Sequence, residues 1–229
     1  MDPFWAVLTH PGKEGNRWDP AEFFQTGIEE IRGVMNEVTG QGVVLRADRA
    51  LDFGCGPGRL SQALAAYFKR VDGLDIAPSM IDLANKFNQR PDQCYFHVNA
   101  RADLALFEDR SFDFVYSNIT LQHMKPFYAK VYIQEFLRVL QPGGVVVFQL
   151  PGRLVRLRAR IKRLVPRSIR AQYLRLLKKN HPARDMYGTP REQVLAYVSG
   201  LGAEFVGSTR NTDAGSGWES FRYTWRRPA

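Results

Sequence analysis

Short apolar runs and segments of helical periodicity alternate along most of the chain. The apolar runs are typical of buried β-strands, and the segments between them carry apolar residues three and four positions apart, as amphipathic helices do. The predicted strands are 49–53, 70–75, 95–99, 111–118, 145–150, 204–207 and 220–225. The predicted helices are Pro20 to about Val38, 61–68, 78 or 79 to about 88, 132–140 and 192–199. Strands that alternate with helices in this way predict an α/β fold.

A glycine-rich stretch follows the first predicted strand. Asp52 stands near the end of that strand, and Gly54, Gly56 and Gly58 follow at alternate positions before a helix begins. Glycine allows positive φ and lets a ligand lie against bare main chain, while a helix N-terminus offers unpaired N–H groups. A dinucleotide-binding fingerprint requires glycine where Arg59 stands, and the Lys-Ser or Lys-Thr ending of a Walker phosphate loop is absent. The stretch therefore predicts a nucleotide-type site of another kind.

This acid-x-Gly-x-Gly-x-Gly pattern resembles the first motif of the class I S-adenosylmethionine-dependent methyltransferases. Asp75 follows Gly58 by seventeen residues and ends the second predicted strand, where an acid would accept both ribose hydroxyls. The run 138–144 is similar to a further motif of the same superfamily, so the resemblance covers residues 48–151. It implies a Rossmann-like, doubly wound, seven-stranded sheet, mostly parallel with its last strand antiparallel. It also implies S-adenosylmethionine as cofactor and S-adenosylhomocysteine as product.

The resemblance assigns roles to individual residues. Asp52 and the main chain from 54 to 58 would hold the methionine moiety, Asp75 would hold the ribose, and Ile76 and Met80 would flank the adenine. The predicted cofactor-binding residues are Asp52, Gly54, Cys55, Gly56, Gly58, Asp75, Ile76, Met80, Ala100, Arg101, Asn118 and Trp18. Related sequences often carry an aspartate where this chain has Ala100, so main chain at 100–102 or a stacked Arg101 side chain would contact the base.

Two of these assignments have alternatives. Met80 could instead fill the core. Trp18 and Phe23 could form a lid over the cofactor cleft, as the N-terminal helix of related proteins does, or they could only pack that helix onto the sheet.

Methyl transfer from a sulfonium is an in-line displacement in which the donor is already activated. The protein mainly positions the reactants, which is worth roughly 7–11 kcal/mol, so no catalytic triad is required. A hydroxyl acceptor would benefit from a general base, and His123 is the candidate because it follows the fourth strand at the carboxyl edge of the sheet. Capping or orienting the loop is the alternative role for His123. His97 lies within a strand and is typical of a satisfied core residue.

The net charge of +9 is concentrated in one segment. Residues 153–184 contain 12 Lys and Arg side chains and no acid, which leaves 20 basic and 23 acidic residues elsewhere, a net charge of −3. Apolar residues recur at helical spacing on both sides of Pro166, which predicts two short basic amphipathic helices inserted after the fifth strand. They could contact an anionic membrane surface, bind an anionic acceptor or form a solvated lid. Nucleic acid is less favoured, because leucine rather than aromatic residues is interleaved with the charges.

The rest of the composition bears on the cellular location, the cysteine chemistry and the domain organisation of the protein. No apolar run is long enough to span a bilayer and the first residues lack a signal-peptide pattern, so we expect a cytoplasmic protein, peripheral to the membrane if the basic helices bind there. Cys55 and Cys94 suggest neither a disulfide framework nor a metal site. We expect a single domain over 1–229. Its predicted parts are an N-terminal helical cap (1–40), a cofactor-binding core (48–151), the basic insertion (152–188) and a C-terminal helix with two strands (189–229).

The predicted activity is methylation of a small-molecule, sugar (glycan) or lipid-linked acceptor, on a hydroxyl group. One rival is a non-catalytic module that keeps the fold and binds an anionic surface or partner through residues 153–184. A second rival is a nicotinamide-dependent oxidoreductase, which Arg59 disfavours.

Overall fold

The helices and strands are taken from a computed structural model that describes residues 2–10, 12–155, 185–215 and 217–229. The strands are β1 (Arg49–Phe53), β2 (Arg70–Asp75), β3 (Cys94–Val98), β4 (Phe112–Ser117), β5 (Leu140–Leu154), β6 (Glu204–Asn211) and β7 (Trp218–Arg226). The helices are α1 (Pro3–Val7), α2 (Pro20–Gly40), α3 (Arg59–Leu64), α4 (Pro78–Lys86), α5 (Pro126–Val139) and α6 (Arg191–Gly200), with a 3₁₀ turn at Leu121–His123. Of the segment 153–184 predicted to form the basic helices, Arg153 and Leu154 instead end strand β5, and residues 156–184 lie outside the described residues.

The seven strands form a sheet in the order β3-β2-β1-β4-β5-β7-β6. The pairings from β3 to β5 are parallel, and β7 runs antiparallel to both β5 and β6. This confirms the predicted doubly wound, Rossmann-like sheet with its last strand antiparallel. The chain order reverses between β1 and β4, so the carboxyl ends of these two strands border the crevice in which open α/β sheets bind ligands.

Both faces of the sheet are buried, which explains the nearly continuous apolar runs of its central strands. On one face Leu51 and Phe148 pack in a core with residues of α5 and α6. On the other face Ala50 and Phe114 pack in a second core with residues of α2 and α3. Neighbouring residues of one strand thus belong to different cores, as the alternation of side chains along a strand requires.

Helix α2 begins as the sequence predicts and lies close to α3. The Asp19 side chain caps it by accepting a hydrogen bond from the Glu22 backbone N–H at 3.0 Å, and Pro20 occupies its first turn. Gly27 permits the close approach, because a Cβ at this position would lie 2.5 Å from the Arg59 carbonyl oxygen. The glycine therefore brings α2 against the start of α3, directly beside the glycine-rich bend.

Several boundaries differ from the sequence prediction, and the largest differences are the starts of β5 and α5. Strand β5 begins at Leu140 rather than at residue 145, because Leu140 already pairs with Phe112 of β4. The register shifts before Val145 pairs with Phe114, and Gly143 adopts a φ of +77° in between. Helix α5 begins at Pro126 rather than at Tyr132. Its first turn carries Phe127 and Tyr128 on the exposed side, where aromatic residues hide the apolar periodicity.

Within the ranges that the structure describes, no helix is both long and apolar enough to cross a membrane. In the same part of the chain no group of three or more histidine, cysteine, aspartate or glutamate side chains is placed to hold a metal ion.

Candidate functional site

The bend between β1 and α3 has a backbone conformation that favours glycine. The φ angles of Gly54, Gly56 and Gly58 are +79°, +52° and +82°. The backbone N–H groups of Gly54 and Cys55 donate to the Leu74 carbonyl oxygen at 2.8 and 3.0 Å. These hydrogen bonds attach the bend to β2.

Asp75, at the end of β2, is in direct contact with the bend. Its Oδ2 accepts a hydrogen bond from the Gly56 backbone N–H at 2.9 Å, and its Oδ1 accepts from the Ala77 backbone N–H at 2.9 Å. Each carboxylate oxygen has a second lone pair. Asp75 can therefore hold the bend and still accept hydrogen bonds from two ribose hydroxyls.

Asp52 is buried beneath the bend, with 1% of its surface exposed. Its Oδ2 accepts a hydrogen bond from the Ser61 hydroxyl at 2.6 Å, whereas its Oδ1 has no hydrogen-bond partner among the described residues. Burial raises the pKa of Asp52 from 3.8 to about 7, and the Ser61 hydrogen bond offsets only part of this effect. A cationic ligand beside this carboxylate would favour its ionised form.

Side chains from two other elements lie against the bend. A Cβ added to Gly54 would lie 2.1 Å from Thr120 Oγ1, and one added to Gly56 would lie 3.1 Å from a methyl group of Val7. Thr120 follows β4 and Val7 ends α1. The carboxyl end of β4 and the N-terminal helix therefore form the walls of the candidate cofactor site next to the bend.

The predicted adenine side of the site presents exposed apolar residues. Ile76 is 71% exposed, and Val98, the partner of Asp75 across the β2–β3 pair, is 45% exposed. Met80 is half-buried. Large apolar side chains exposed next to the ribose-binding acid provide a surface for a flat ring.

The predicted contacts beyond β3 take a different form. The Arg101 guanidinium donates to both carboxylate oxygens of Asp103 at 2.9 and 3.1 Å and is exposed, while Ala100 is exposed without a polar side chain. Contact of Ala100 or Arg101 with adenine stays a prediction.

Trp18 and Phe23 belong to an aromatic cluster between α1 and α2. Trp18 is 7% exposed, donates its indole N–H to the Leu8 carbonyl oxygen at 3.1 Å and meets Phe23 edge-on at 5.7 Å. Phe23 is fully buried and stacks on Phe4 with 4.4 Å between ring centroids. This geometry favours the packing alternative, and a contact between Trp18 and the cofactor stays a prediction.

His123 lies in the 3₁₀ turn that follows β4, and its ring is exposed. Its Nδ1 is 3.3 Å from the Asp185 carbonyl oxygen, and its Nε2 is 3.3 Å from the amide nitrogen of Gln122. The Gln122 amide oxygen in turn accepts a hydrogen bond from Gln149 at 3.2 Å. His97, in contrast, is half-buried and donates to Asp72 at 2.9 Å, as expected for a satisfied core residue.

Sequence reasoning missed a buried ion pair beside the bend. Arg59 is 3% exposed and donates to Glu30 Oε2 at 2.8 Å, while Tyr116 and Asn118 donate to Glu30 Oε1 at 2.8 and 2.7 Å. Burial acts to raise the pKa of Glu30, but the charge and hydrogen bond of Arg59 and the bonds from Tyr116 and Asn118 outweigh it, so this pKa lies below its ordinary value. The sequence feature that could have indicated this ion pair is Gly27, three positions before Glu30. A glycine inside a helix often marks a close contact with another helix.

Comparison with known proteins identifies the core of the chain. Residues 51–148 match the family model of the methyltransferase domain. The chain is 31% identical over 132 residues to a ubiquinone biosynthesis O-methyltransferase of Xanthomonas campestris pv. campestris, a match that covers 57% of this chain and 54% of that protein. It is 34% identical over 155 residues to a trans-aconitate 2-methyltransferase of Methylobacterium radiotolerans, covering 66% and 56%. The chain thus spans about half the length of the curated relatives it matches.

The fold is also similar to that of a solved methyltransferase. A magnesium protoporphyrin IX methyltransferase from Synechocystis PCC 6803, crystallised with bound S-adenosylhomocysteine, aligns with a TM-score of 0.64 and 17% identity. The alignment covers 98% of this chain and 93% of that chain. At this level of identity, the likeness concerns the fold.

The residues within the matched range suit a sulfonium nucleoside. The bend offers bare main chain, Asp52 offers a buried carboxylate oxygen that lacks a partner among the described residues, and Asp75 offers lone pairs for a ribose. Neither the nicotinamide-dependent nor the non-catalytic alternative is favoured by these findings. Residues 51–148 are therefore a methyltransferase domain, and S-adenosylmethionine is the cofactor that its glycine bend and two carboxylates fit.

Proposed function

We propose that this chain transfers the methyl group of S-adenosylmethionine to a hydroxyl group of a small-molecule, sugar or lipid-linked acceptor. The observation that carries the proposal is the position of His123. Its backbone N–H donates to the Thr120 carbonyl oxygen at 3.0 Å, and the Thr120 side chain lies against Gly54 of the bend. A titratable side chain thus stands one short turn from the cofactor site, at the carboxyl edge of the sheet.

The protein contributes binding and positioning. When bound, the sulfonium of S-adenosylmethionine supplies an activated methyl group, so the chain does not have to activate the donor. Asp52 and the bend hold the aminoacyl end of the cofactor, and Asp75 holds its ribose. The Asp52 carboxylate stabilises positive charge in a site from which water is largely excluded, where such an interaction is stronger than in bulk solvent.

The surroundings of His123 suit a general base. Its Nδ1 faces a carbonyl oxygen, that of Asp185, so the tautomer that satisfies this contact carries its proton on Nδ1. This tautomer leaves a lone pair on Nε2, which faces the amide nitrogen of Gln122 at 3.3 Å. At that distance the hydrogen bond is weak, and an acceptor hydroxyl that replaces it would transfer its proton to Nε2.

The proposal of a hydroxyl acceptor is supported by the similarity to the Xanthomonas protein, which is an O-methyltransferase. The experiment is a radiolabelled methyl-transfer assay on a panel of hydroxyl and carboxylate acceptors, with wild type, His123→Ala and Lys125→Ala. Lys125 is an exposed neighbour in the same loop and is the matched control.

We expect His123→Ala to lower turnover on hydroxyl acceptors by about 100-fold or more, the usual contribution of a general base, and to leave affinity for S-adenosylhomocysteine unchanged. Lys125→Ala should retain turnover. Unchanged turnover in His123→Ala would remove this residue from the mechanism, and methylation of carboxylates but not of hydroxyls by the wild type would refute the proposed acceptor class.

A further inference from the structure

The side chain of Glu30 joins three elements at one point beside the cofactor site. It belongs to α2, and it accepts hydrogen bonds from Arg59 at the start of α3 and from Tyr116 and Asn118 at the end of β4. Its side chain is 17% exposed, and that of Arg59 is 4% exposed. A carboxylate that accepts hydrogen bonds from three donors is held in one position, because any rotation would leave several polar groups unpaired.

Asn118 stands opposite the glycine-rich bend. Strands β1 and β4 are parallel neighbours, and Asp52 is aligned with Tyr116. Two residues further along each strand, Asn118 comes level with Gly54. Thr120 closes the contact, since its hydroxyl donates to the Asn118 carbonyl oxygen at 3.0 Å while its side chain lies against Gly54.

The contact with Glu30 determines how the Asn118 amide is oriented. A carboxylate only accepts hydrogen bonds, so the amide nitrogen must face Glu30, at 2.7 Å. The amide oxygen is consequently directed elsewhere. It is buried and has no hydrogen-bond partner among the described residues, in a residue that is only 8% exposed. Such a group calls for a donor that a ligand can supply.

The aminoacyl end of S-adenosylmethionine carries an ammonium group, which is a hydrogen-bond donor only. We propose that Glu30 is a positioning residue: it holds the Asn118 amide so that its oxygen accepts a hydrogen bond from the cofactor's α-ammonium group. The ion pair between Glu30 and Arg59 attaches this arrangement to the start of α3, beside the bend. The inference concerns the cofactor and is independent of which acceptor is methylated.

The test uses calorimetric titration with three ligands, without turnover. They are S-adenosylhomocysteine, its analogue that lacks only the α-amino group, and 5′-methylthioadenosine, which lacks the whole aminoacyl end. The variant is the double substitution Glu30→Met and Arg59→Met, which removes the ion pair without leaving one buried charge behind. Wild type should prefer S-adenosylhomocysteine over the desamino analogue by about 10- to 100-fold, as expected for a hydrogen bond to a charged group.

In the double variant we expect this preference to fall by about tenfold, while affinity for 5′-methylthioadenosine is unchanged. Tyr116→Phe, which removes a neighbouring donor to the same oxygen, is the matched control and should keep the preference. Should the double variant fail to fold, Asn118→Ala provides the same measurement with the same expected loss.

Two results would overturn the proposal. If the double variant, or Asn118→Ala in its place, keeps the wild-type preference, the amide oxygen does not contact the ammonium group. If affinity for all three ligands falls alike, Glu30 supports only the packing of α2.

Discussion

Replacing Asp52 by asparagine is expected to stabilise the cofactor-free protein, by an amount that grows with pH. Asp52 is buried, and its pKa is about 7 in the folded protein against 3.8 for the ordinary side chain. Between these two values the native state binds a proton that the unfolded chain has released. The contribution of this group to stability is therefore fully present below pH 3.8 and is lost as the pH rises through about 7.

The size of the effect follows from the pKa difference. About three pKa units at about 1.4 kcal/mol each correspond to about 4 kcal/mol of unfolding free energy lost by the wild type over this range. Asparagine has no proton to lose, retains nearly the same shape and can keep the hydrogen bond from Ser61. The unfolding free energy of the variant minus that of the wild type should thus increase by about 1.4 kcal/mol per pH unit from pH 5 to 7 and become constant above.

The measurement is urea unfolding followed by tryptophan fluorescence at pH 5, 6, 7 and 8, for which the chain offers four tryptophans. Asp48→Asn is the matched control. Asp48 pairs with Lys69, and the hydrogen bond and charge of Lys69 lower its pKa, so it is ionised in both states throughout this range. Its difference from wild type should not change with pH. A flat or falling difference for Asp52→Asn would refute the reasoning, because it would mean that burial does not raise the pKa of this carboxyl group.

Two further predictions concern the ribose contact and the helix packing. Asp75→Ala should lower calorimetric affinity for S-adenosylhomocysteine by about tenfold or more, because the ribose loses a charged acceptor. The control Asp103→Ala removes an exposed carboxylate paired with Arg101 and should leave this affinity unchanged. Equal losses in the two variants would contradict the assignment of Asp75 to the ribose. Gly27→Ala should lower the melting temperature by several degrees, because its Cβ would lie 2.5 Å from a backbone oxygen, whereas Gly33→Ala in the same helix has open space and should gain about 0.5–1 kcal/mol. A melting temperature of Gly27→Ala at or above that of wild type would show that α2 can move away from α3.

The parts of this protein that depend on local sequence were predictable. The glycine bend has positive φ at three alternate positions, and glycine is the residue that adopts positive φ without a steric penalty. The pattern from Asp52 to Gly58 therefore identifies the bend by itself. Asp75 ends a short apolar strand at a fixed distance from it. Buried strands and amphipathic helices alternate with their own periods, which is why the α/β class and the order of elements from 49 to 150 could be predicted.

Element boundaries were less accurate where neighbours decide them. Strand β5 runs from Leu140 to Leu154 because β4 on one side and β7 on the other provide hydrogen-bond partners along most of its length. A sequence window around the glycines at 143 and 144 indicates a turn, since it contains no information about those partners.

The tertiary structure alone decided which side chains meet. Glu30 contacts Arg59 and Asn118, which lie 29 and 88 positions further along the chain; Gly27 indicates a close helix contact nearby, but no local pattern identifies these partners. In the same way, Thr120 and Val7 approach the bend from two other elements, and Trp18 packs into an aromatic cluster next to it. Sequence periodicity determines which face of an element is buried. Contacts between polar groups that are distant in sequence depend instead on how the completed elements pack, and this packing determines how the amide and carboxylate groups of the site are oriented.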